Sequence, residues 1–243
     1  MRVVVVADVH ANLGALQAVV RAAEAGGAID GVWCLGDTVG YGAEPGACIA
    51  LLRSYPLRAI AGNHDLAAVG VVSTDTFNPF AAEAARWTSL ELSDFDKAWI
   101  QALPRTLVEG DFTLAHGTLR DPVWEYLMDS EQAAEHLAVQ TTPYGLVGHT
   151  HVPMVFLEDT ARDAHEDPPE DGTLQLGPRR FVCNVGSVGQ PRDGDSRAAY
   201  GLLDTSERTL AFCRAEYDIE ATQAKIVEAG LPFYLAERLS HGR

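Results

Sequence analysis

Basic residues are scarce in this chain. Eighteen Lys and Arg stand against thirty-four Asp and Glu over 243 residues, a formal charge of −16. Proteins hold nucleic-acid polymers largely through Lys and Arg that neutralise phosphates, so no polymeric nucleic-acid partner is expected. Long apolar runs are also missing, and the first strand-like stretch carries Arg2 and Asp8. Neither a membrane-spanning helix nor a cleavable leader is expected, no membrane partner follows, and a cytoplasmic setting is the default. The four cysteines, Cys34, Cys48, Cys183 and Cys213, form no CxxC pair and read as buried reduced thiols. HExxH, the helical motif of zinc peptidases, is absent too. Apolar residues are not scarce: at 47% hydrophobic the chain can bury a sizeable core.

The first part alternates strand and helix signals. "RVVVVA" is a continuous β-branched run, as expected of a strand buried on both faces. Asn12 stands as an N-cap before the amphipathic "LGALQAVVRAAEA", which Gly26 and Gly27 stop. "GVWCLG" reads as a second strand, "PGACIALLRS" as a second helix opened by Pro45, and "LRAIAG" as a third strand. This order predicts neighbouring parallel strands covered by helices. Residues 66–103 break the rhythm with two helical patterns and no strand between them, a helical insert in a single domain spanning 1–243. Trp87, Phe95 and Trp99 are expected to pack that insert, which follows the 63–65 segment directly and can cap whatever lies there. "TLVEGDFTLAHG" reads as a hairpin, a helix over about 130–140 leads to the strand "YGLVGH", and "VPMVFLE" follows it. The acidic stretch 159–172 is read as an exposed loop. "RRFVCNVGS", "AAYGLLDT" and "RTLAFCRAEY" are expected as antiparallel neighbours, before two short closing helices.

Each strong strand signal runs into metal-ligand chemistry. The first leads to Asp8 and His10, the second to Asp37, and the third to Asn63, His64 and Asp65. The hairpin ends on His116, and the later strand runs into His149 and His151. In α/β sheets ligands bind beyond the carboxyl ends of strands. Residues i and i+2 of a strand point the same way, so each spaced pair can face one point if it continues strand geometry.

The order D-x-H, GD, GNH-acid, H, GHTH resembles the calcineurin-like metallophosphoesterase family, and "NVGSVGQPR" at 184–192 is similar to the loop after GHTH in its small bacterial phosphodiesterase-like members. The resemblance implies a four-layer α/β sandwich, with two mixed β-sheets face to face and helices outside. It also implies two divalent metal ions: Asp8, His10 and His151 on one, Asn63, His116 and His149 on the other, and Asp37 bridging. His64 would face the phosphoryl group or leaving oxygen, with Asp65 orienting its ring. Imidazole, carboxylate and amide donors suit Mn, Fe, Zn, Co or Ni. Such a pair of ions, about 3.5–4 Å apart, holds a hydroxide and clamps phosphoryl oxygens for in-line attack.

The implied activity is hydrolysis of small phosphoesters, with phosphomonoesterase or non-catalytic scaffold as alternatives. No ligand of the pattern is missing, which speaks against a scaffold. Many family phosphatases continue GDxxDRG where this chain reads "GDTVGYG", so Gly40 and Tyr41 replace an acid and a phosphate-binding arginine. That departure favours diesters. Tyr41, Arg192 and Arg120 are candidates for substrate contact. Asn12 is explained by capping and equally by phosphate contact, whereas His136, His165 and His241 are expected at the surface.

Overall fold

The computed structural model describes residues 1–158 and 172–243; the acidic loop reading at 159–171 and His165 lie outside the described residues. Strand β1 (Arg2–Val6) is followed by α1 (Leu13–Ala25), β2 (Gly31–Cys34), α2 (Pro45–Arg53) and β3 (Leu57–Ala59). Three helices come next, α3 (Asn63–Ala68), α4 (Pro79–Glu91) and α5 (Asp94–Gln101), then the hairpin β4 (Thr106–Glu109) and β5 (Phe112–Ala115). Helix α6 (Ser130–Val139) leads to β6 (Tyr144–Val147), β7 (Met154–Leu157), β8 (Thr173–Gln175) and β9 (Phe181–Asn184). Strands β10 (Ala198–Asp204) and β11 (Thr209–Ala215) precede α7 (Ile219–Glu228), α8 (Phe233–Glu237) and a closing 3₁₀ turn. Among the described residues no helix is long and apolar enough to cross a membrane.

The strands form two mixed sheets, β3-β2-β1-β10-β11-β8 and β4-β5-β6-β9-β7. The expected parallel set β3-β2-β1 is present, as is the parallel run β5-β6-β9. Alternation within β1 shows how the layers stack. Val3 and Val5 face the second sheet, in one core with Leu114, Leu146 and Cys183. Val4 and Val6 point the other way, onto Leu16 and Val19 of α1. On the far side, Val147, Phe156 and Val182 pack against Ala133 and Leu137 of α6. Helix, sheet, sheet, helix is the resulting order, and burial of both sheet faces explains the unbroken apolar runs.

Two expectations change. Strand β9 does not neighbour β10 but lies between β6 and β7 in the other sheet. All of β9 is buried, so its sequence carries no polar face to reveal which sheet it joins. Residues 185–197 therefore cross from one sheet to the other. Asn63, His64 and Asp65, expected at a strand end, form the first turn of α3 instead.

Candidate metal centre

The polar residues after β1, β2, β5 and β6 meet at one edge of the two sheets, but not by strand alternation. Strand β1 stops at Val6 and β6 at Val147, before either spaced pair begins. Asp8, His10, Asp37, His149 and His151 all lie at positive φ, between 49° and 71°. The left-handed region is uncommon for residues with a Cβ and marks functional sites when surrounding structure enforces it. Here the loops enforce it on one another. Asp8 N–H donates to Gly36 O (3.1 Å), His10 N–H to Asp37 O (2.9 Å), and Gly189 N–H to Asp8 O (2.9 Å). Asn184 Nδ2 donates to Gly148 O (2.6 Å) and to Thr150 Oγ1 (2.9 Å), holding the GHTH turn.

Each converging imidazole points one nitrogen at a backbone carbonyl. His10 Nδ1 faces Val39 O (3.2 Å), His116 Nδ1 faces Leu35 O (2.8 Å), His151 Nδ1 faces Gln190 O (2.6 Å), and His149 Nε2 faces Trp124 O (3.2 Å). A carbonyl only accepts, so these nitrogens carry a proton, and in a neutral ring the opposite nitrogen is a bare lone pair. The inward nitrogens converge in pairs: His10 Nε2 with His151 Nε2 at 3.2 Å, and His116 Nε2 with His149 Nδ1 at 3.1 Å. In the neutral His10–His151 pair two lone pairs face each other and repel unless a cation lies between them.

The donors fall into two groups, Asp8–His10–His151 and Asp37–His116–His149, with ligand atoms within 4.8 Å of one another in each. Asn63 Oδ1 joins the second group, 3.2 Å from His116 Nε2. Asp37 reaches both, its Oδ2 lying 3.8 Å from His10 Nε2 and 3.3 Å from His116 Nε2. All of these side chains are buried. Burial pushes the Asp8 carboxyl up to about 7, while it drives His149 down to about 3 and His10 and His151 well below the usual range. Burial alone would raise Asp37 as well, but His116 and His64 outweigh it and hold that carboxyl very low. His116 is lifted to about 9, burial being outweighed by the Asp37 carboxylate. Two buried carboxylates, Asp8 and Asp37, stand against a protonated His116, and divalent cations would supply the further counter-charge. The donor chemistry fits two such ions.

His64 sits beside both groups, its ring centroid 5.0 Å from that of His10 and 4.4 Å from that of Tyr41. Burial holds it down at about 4, so the resting ring is neutral. Its buried Nδ1 has no hydrogen-bond partner among the described residues. Asp65 does not orient it: the carboxylate accepts from Val39 N–H (3.0 Å) and Gly62 N–H (3.1 Å), pinning the turn that starts α3. Both Asp65 oxygens are occupied by backbone amides, a capping role the motif order does not disclose. Gly40 explains part of the "GDTVGYG" departure. It lies at φ +89°, and a Cβ there would come 2.7 Å from His64 Nδ1. Gly40→Ala is therefore expected to displace the His64 ring, lowering kcat by about 10²-fold while leaving metal content intact. Parallel turnover and elemental analysis check this.

The remaining candidates separate cleanly. Asn12 Oδ1 accepts from Ala15 N–H (3.0 Å) and its Nδ2 donates to Gly189 O (3.0 Å), so the geometry supports the N-cap reading. Arg192 N–H donates to His151 O (3.3 Å), its Nη2 to Gln190 Oε1 (2.9 Å), and its buried Nε has no partner among the described residues. Arg120 is paired with Glu125 and Glu135 and does not line the cavity beside His64. His136, expected at the surface, is buried and fixed by Leu119 N–H and Gln140 Oε1, because α6 turns that face toward the second sheet. His241 is exposed as expected. Phe95, expected to pack, is exposed beneath the Arg53 guanidinium, whereas Trp99 joins the core under α1 and α2.

Phe77, Trp124 and Tyr126 were not singled out from sequence, yet with Tyr41, Asn63, His64 and His149 they line a cavity of about 220 Å³. "WEY", two aromatics spaced like a ligand pair just after "LAHG", is the signal that points to them.

Residues 1–208 match the model of the calcineurin-like phosphoesterase superfamily domain. An uncharacterized protein of Methanocaldococcus jannaschii is 35% identical over 250 residues, which cover 99% of this chain and 98% of that one. The crystal structure of a metallophosphoesterase from Sphaerobacter thermophilus superposes with a TM-score of 0.91 at 42% identity, covering 100% of this chain and 99% of that one. A hypothetical protein from Pyrococcus horikoshii shares the fold, with a TM-score of 0.83 at 18% identity and coverage of 100% and 98%.

Proposed function

The chain belongs to the calcineurin-like phosphoesterase superfamily, and from that premise we propose that it hydrolyses small phosphoesters with two divalent metal ions, diesters in preference to monoesters. One observation carries the reading: each of the four converging imidazoles points one nitrogen at a backbone carbonyl and turns the other inward. Carbonyl partners of this kind fix the tautomer and orientation of metal-ligating histidines.

Asp8, His10 and His151 would hold one ion, Asn63, His116 and His149 the other, and Asp37 would touch both. Mn, Fe, Zn, Co and Ni all suit this donor set. When bound, the ions supply Lewis acidity toward phosphoryl oxygens and lower the pKa of the attacking water. The chain's own work is placement. Asn63 adds a neutral oxygen, which leaves the site with two anionic ligands and a local positive balance. Asp37 Oδ1 accepts the His64 amide (2.8 Å), tying the ligand loop to the residue proposed to face the leaving oxygen. A neutral His64 acts there as a hydrogen-bond donor, and it transfers a proton to the leaving oxygen only from its protonated form.

The diester preference follows from charge. A monoester carries about one more negative charge than a diester, and sites that select it add cations around the phosphoryl group. No Lys or Arg lies between Gly36 and Leu52, nor among the described residues that line the cavity. The acidic surface favours small substrates over polymers. Arg192 is the observation that favours the second reading, phosphomonoester hydrolysis, since its guanidinium adds to burial in depressing the nearby His151. With Mn²⁺, bis-(p-nitrophenyl) phosphate is expected to show a higher kcat/KM than p-nitrophenyl phosphate at the same pH, with metal-free protein as the control. A tenfold preference for the monoester, about 1.4 kcal/mol in the transition state, would establish the second reading instead.

A further inference from the structure

Phe77, Trp124, Tyr126 and Tyr41 are four of the ten described residues that line the cavity beside Asn63 and His149. No Lys, Arg, Asp or Glu is among the ten. That is unusual so close to a site built from carboxylates and imidazoles in a chain of charge −16. Pockets for drug-sized ligands run to about 300–1,000 Å³, so about 220 Å³ accommodates one ring rather than a whole extended ligand.

The aromatic walls are arranged in series along the metal-site edge. The Phe77 ring centroid lies 4.7 Å from that of His64 and 5.8 Å from that of Trp124, the latter pair crossing at 77°. Tyr126 stacks on the outer face of His149, 4.0 Å between centroids and 5° from parallel. These rings come from two distant segments, the approach to α4 and the loop after β5, so the fold assembles the wall rather than a local sequence pattern. Trp124 serves twice, its carbonyl accepting from His149 Nε2 while its side chain lines the cavity. Tyr126 nevertheless remains 43% exposed, and Phe77 is only partly buried.

We propose that this cavity seats a planar, uncharged ring of the substrate, so that the protein acts on aryl or nucleoside esters whose ringed alcohol lies on the His64 side of phosphorus. The assignment rests on the phosphoester reading above and adds to it what the phosphoryl group is attached to. Aromatic faces hold a flat ring by stacking and edge contacts, with little regard for its substituents. A second phosphate or a carboxylate would find no Lys or Arg among the described lining residues to replace its hydration. Thr76 and Asn78, both exposed on the rim, offer polar atoms to a ring edge.

Matched ligands that differ only by the ring test this. On Mn²⁺-loaded protein, calorimetry should show phenylphosphonate binding about tenfold or more tightly than methylphosphonate, both resistant to hydrolysis and alike in charge. In the Phe77→Leu and Trp124→Leu variants, each retaining its metal content, that ratio should shrink to about threefold or less. Equal affinity of the two phosphonates for the unaltered protein, or a ratio that both variants preserve, would overturn the proposal. If neither phosphonate binds metal-loaded protein that hydrolyses bis-(p-nitrophenyl) phosphate, this proposal is overturned and the phosphoester reading stands; if that diester is not hydrolysed either, the phosphoester reading fails and this assignment goes with it. Hydrolysis of AMP against ribose 5-phosphate separates the two sources of the ring. A kcat/KM advantage for AMP marks a nucleoside ester, and its absence alongside the phenylphosphonate preference marks a smaller aryl group.

Discussion

Asp37→Asn is expected to weaken both metal positions and to lower kcat/KM by at least about 10³-fold. The reason is positional. Asp37 Oδ2 lies within 3.8 Å of His10 Nε2 and 3.3 Å of His116 Nε2, so one oxygen serves both donor groups. Asparagine keeps the size and the Oδ1 acceptor that receives the His64 amide at 2.8 Å, which spares the loop, but removes the charge that two dications require. His151→Ala provides the contrast. It deletes a donor that belongs to the Asp8–His10 group alone and should empty only that position. Elemental analysis of protein purified without chelator and then supplied with Mn²⁺ distinguishes the two outcomes. Full occupancy in the Asp37→Asn protein would dismantle the bridging assignment. Failure of the unaltered protein to take up any transition metal would dismantle the metal assignment as a whole.

His64→Ala should leave both metals in place and reduce kcat by about 10²–10⁴-fold if the ring protonates the leaving oxygen. His64 ligates neither group in the proposed arrangement and lines the cavity; burial lowers it to about 4, so acid catalysis requires the bound phosphoryl group to raise it enough to protonate the ring. The loss should depend on the leaving group. A nitrophenolate departs with little protonation and should lose least, whereas an alkoxide should lose most. Comparing p-nitrophenyl and simple alkyl esters in the same variant reads this directly. Equal losses for both would assign His64 to electrostatic stabilisation of the phosphoryl group, and unchanged rates for both would remove it from the mechanism.

Much of the architecture was legible because its causes are local in sequence. Asn12, Pro45 and the Gly26–Gly27 pair mark helix ends through backbone chemistry that needs no distant partner, and α1 and α2 begin and end there. The run 3–6 is apolar on both faces, and β1 is buried on both. Asp65 and His136 show where that legibility stops. Asp65 beside a histidine reads as its orienting carboxylate, yet its oxygens are claimed by the amides of Val39 and Gly62. His136 lies outside every motif and is nonetheless buried, because the face a helix turns inward depends on what packs against it.

By itself the sequence determined which donors exist, in what order, and that parallel strands would deliver them to one sheet edge. Residue type and hydrophobic period carry that information, and both are properties of neighbouring positions. Only the tertiary structure decided the rest. The pairing of His10 with His151 and of His116 with His149 depends on left-handed turns that strand periodicity does not describe. The nitrogen each ring turns inward is chosen by Val39, Leu35, Gln190 or Trp124, carbonyls supplied by other loops. Every backbone carbonyl is chemically alike, so nothing in the residue names marks those four, and only their positions in space select them.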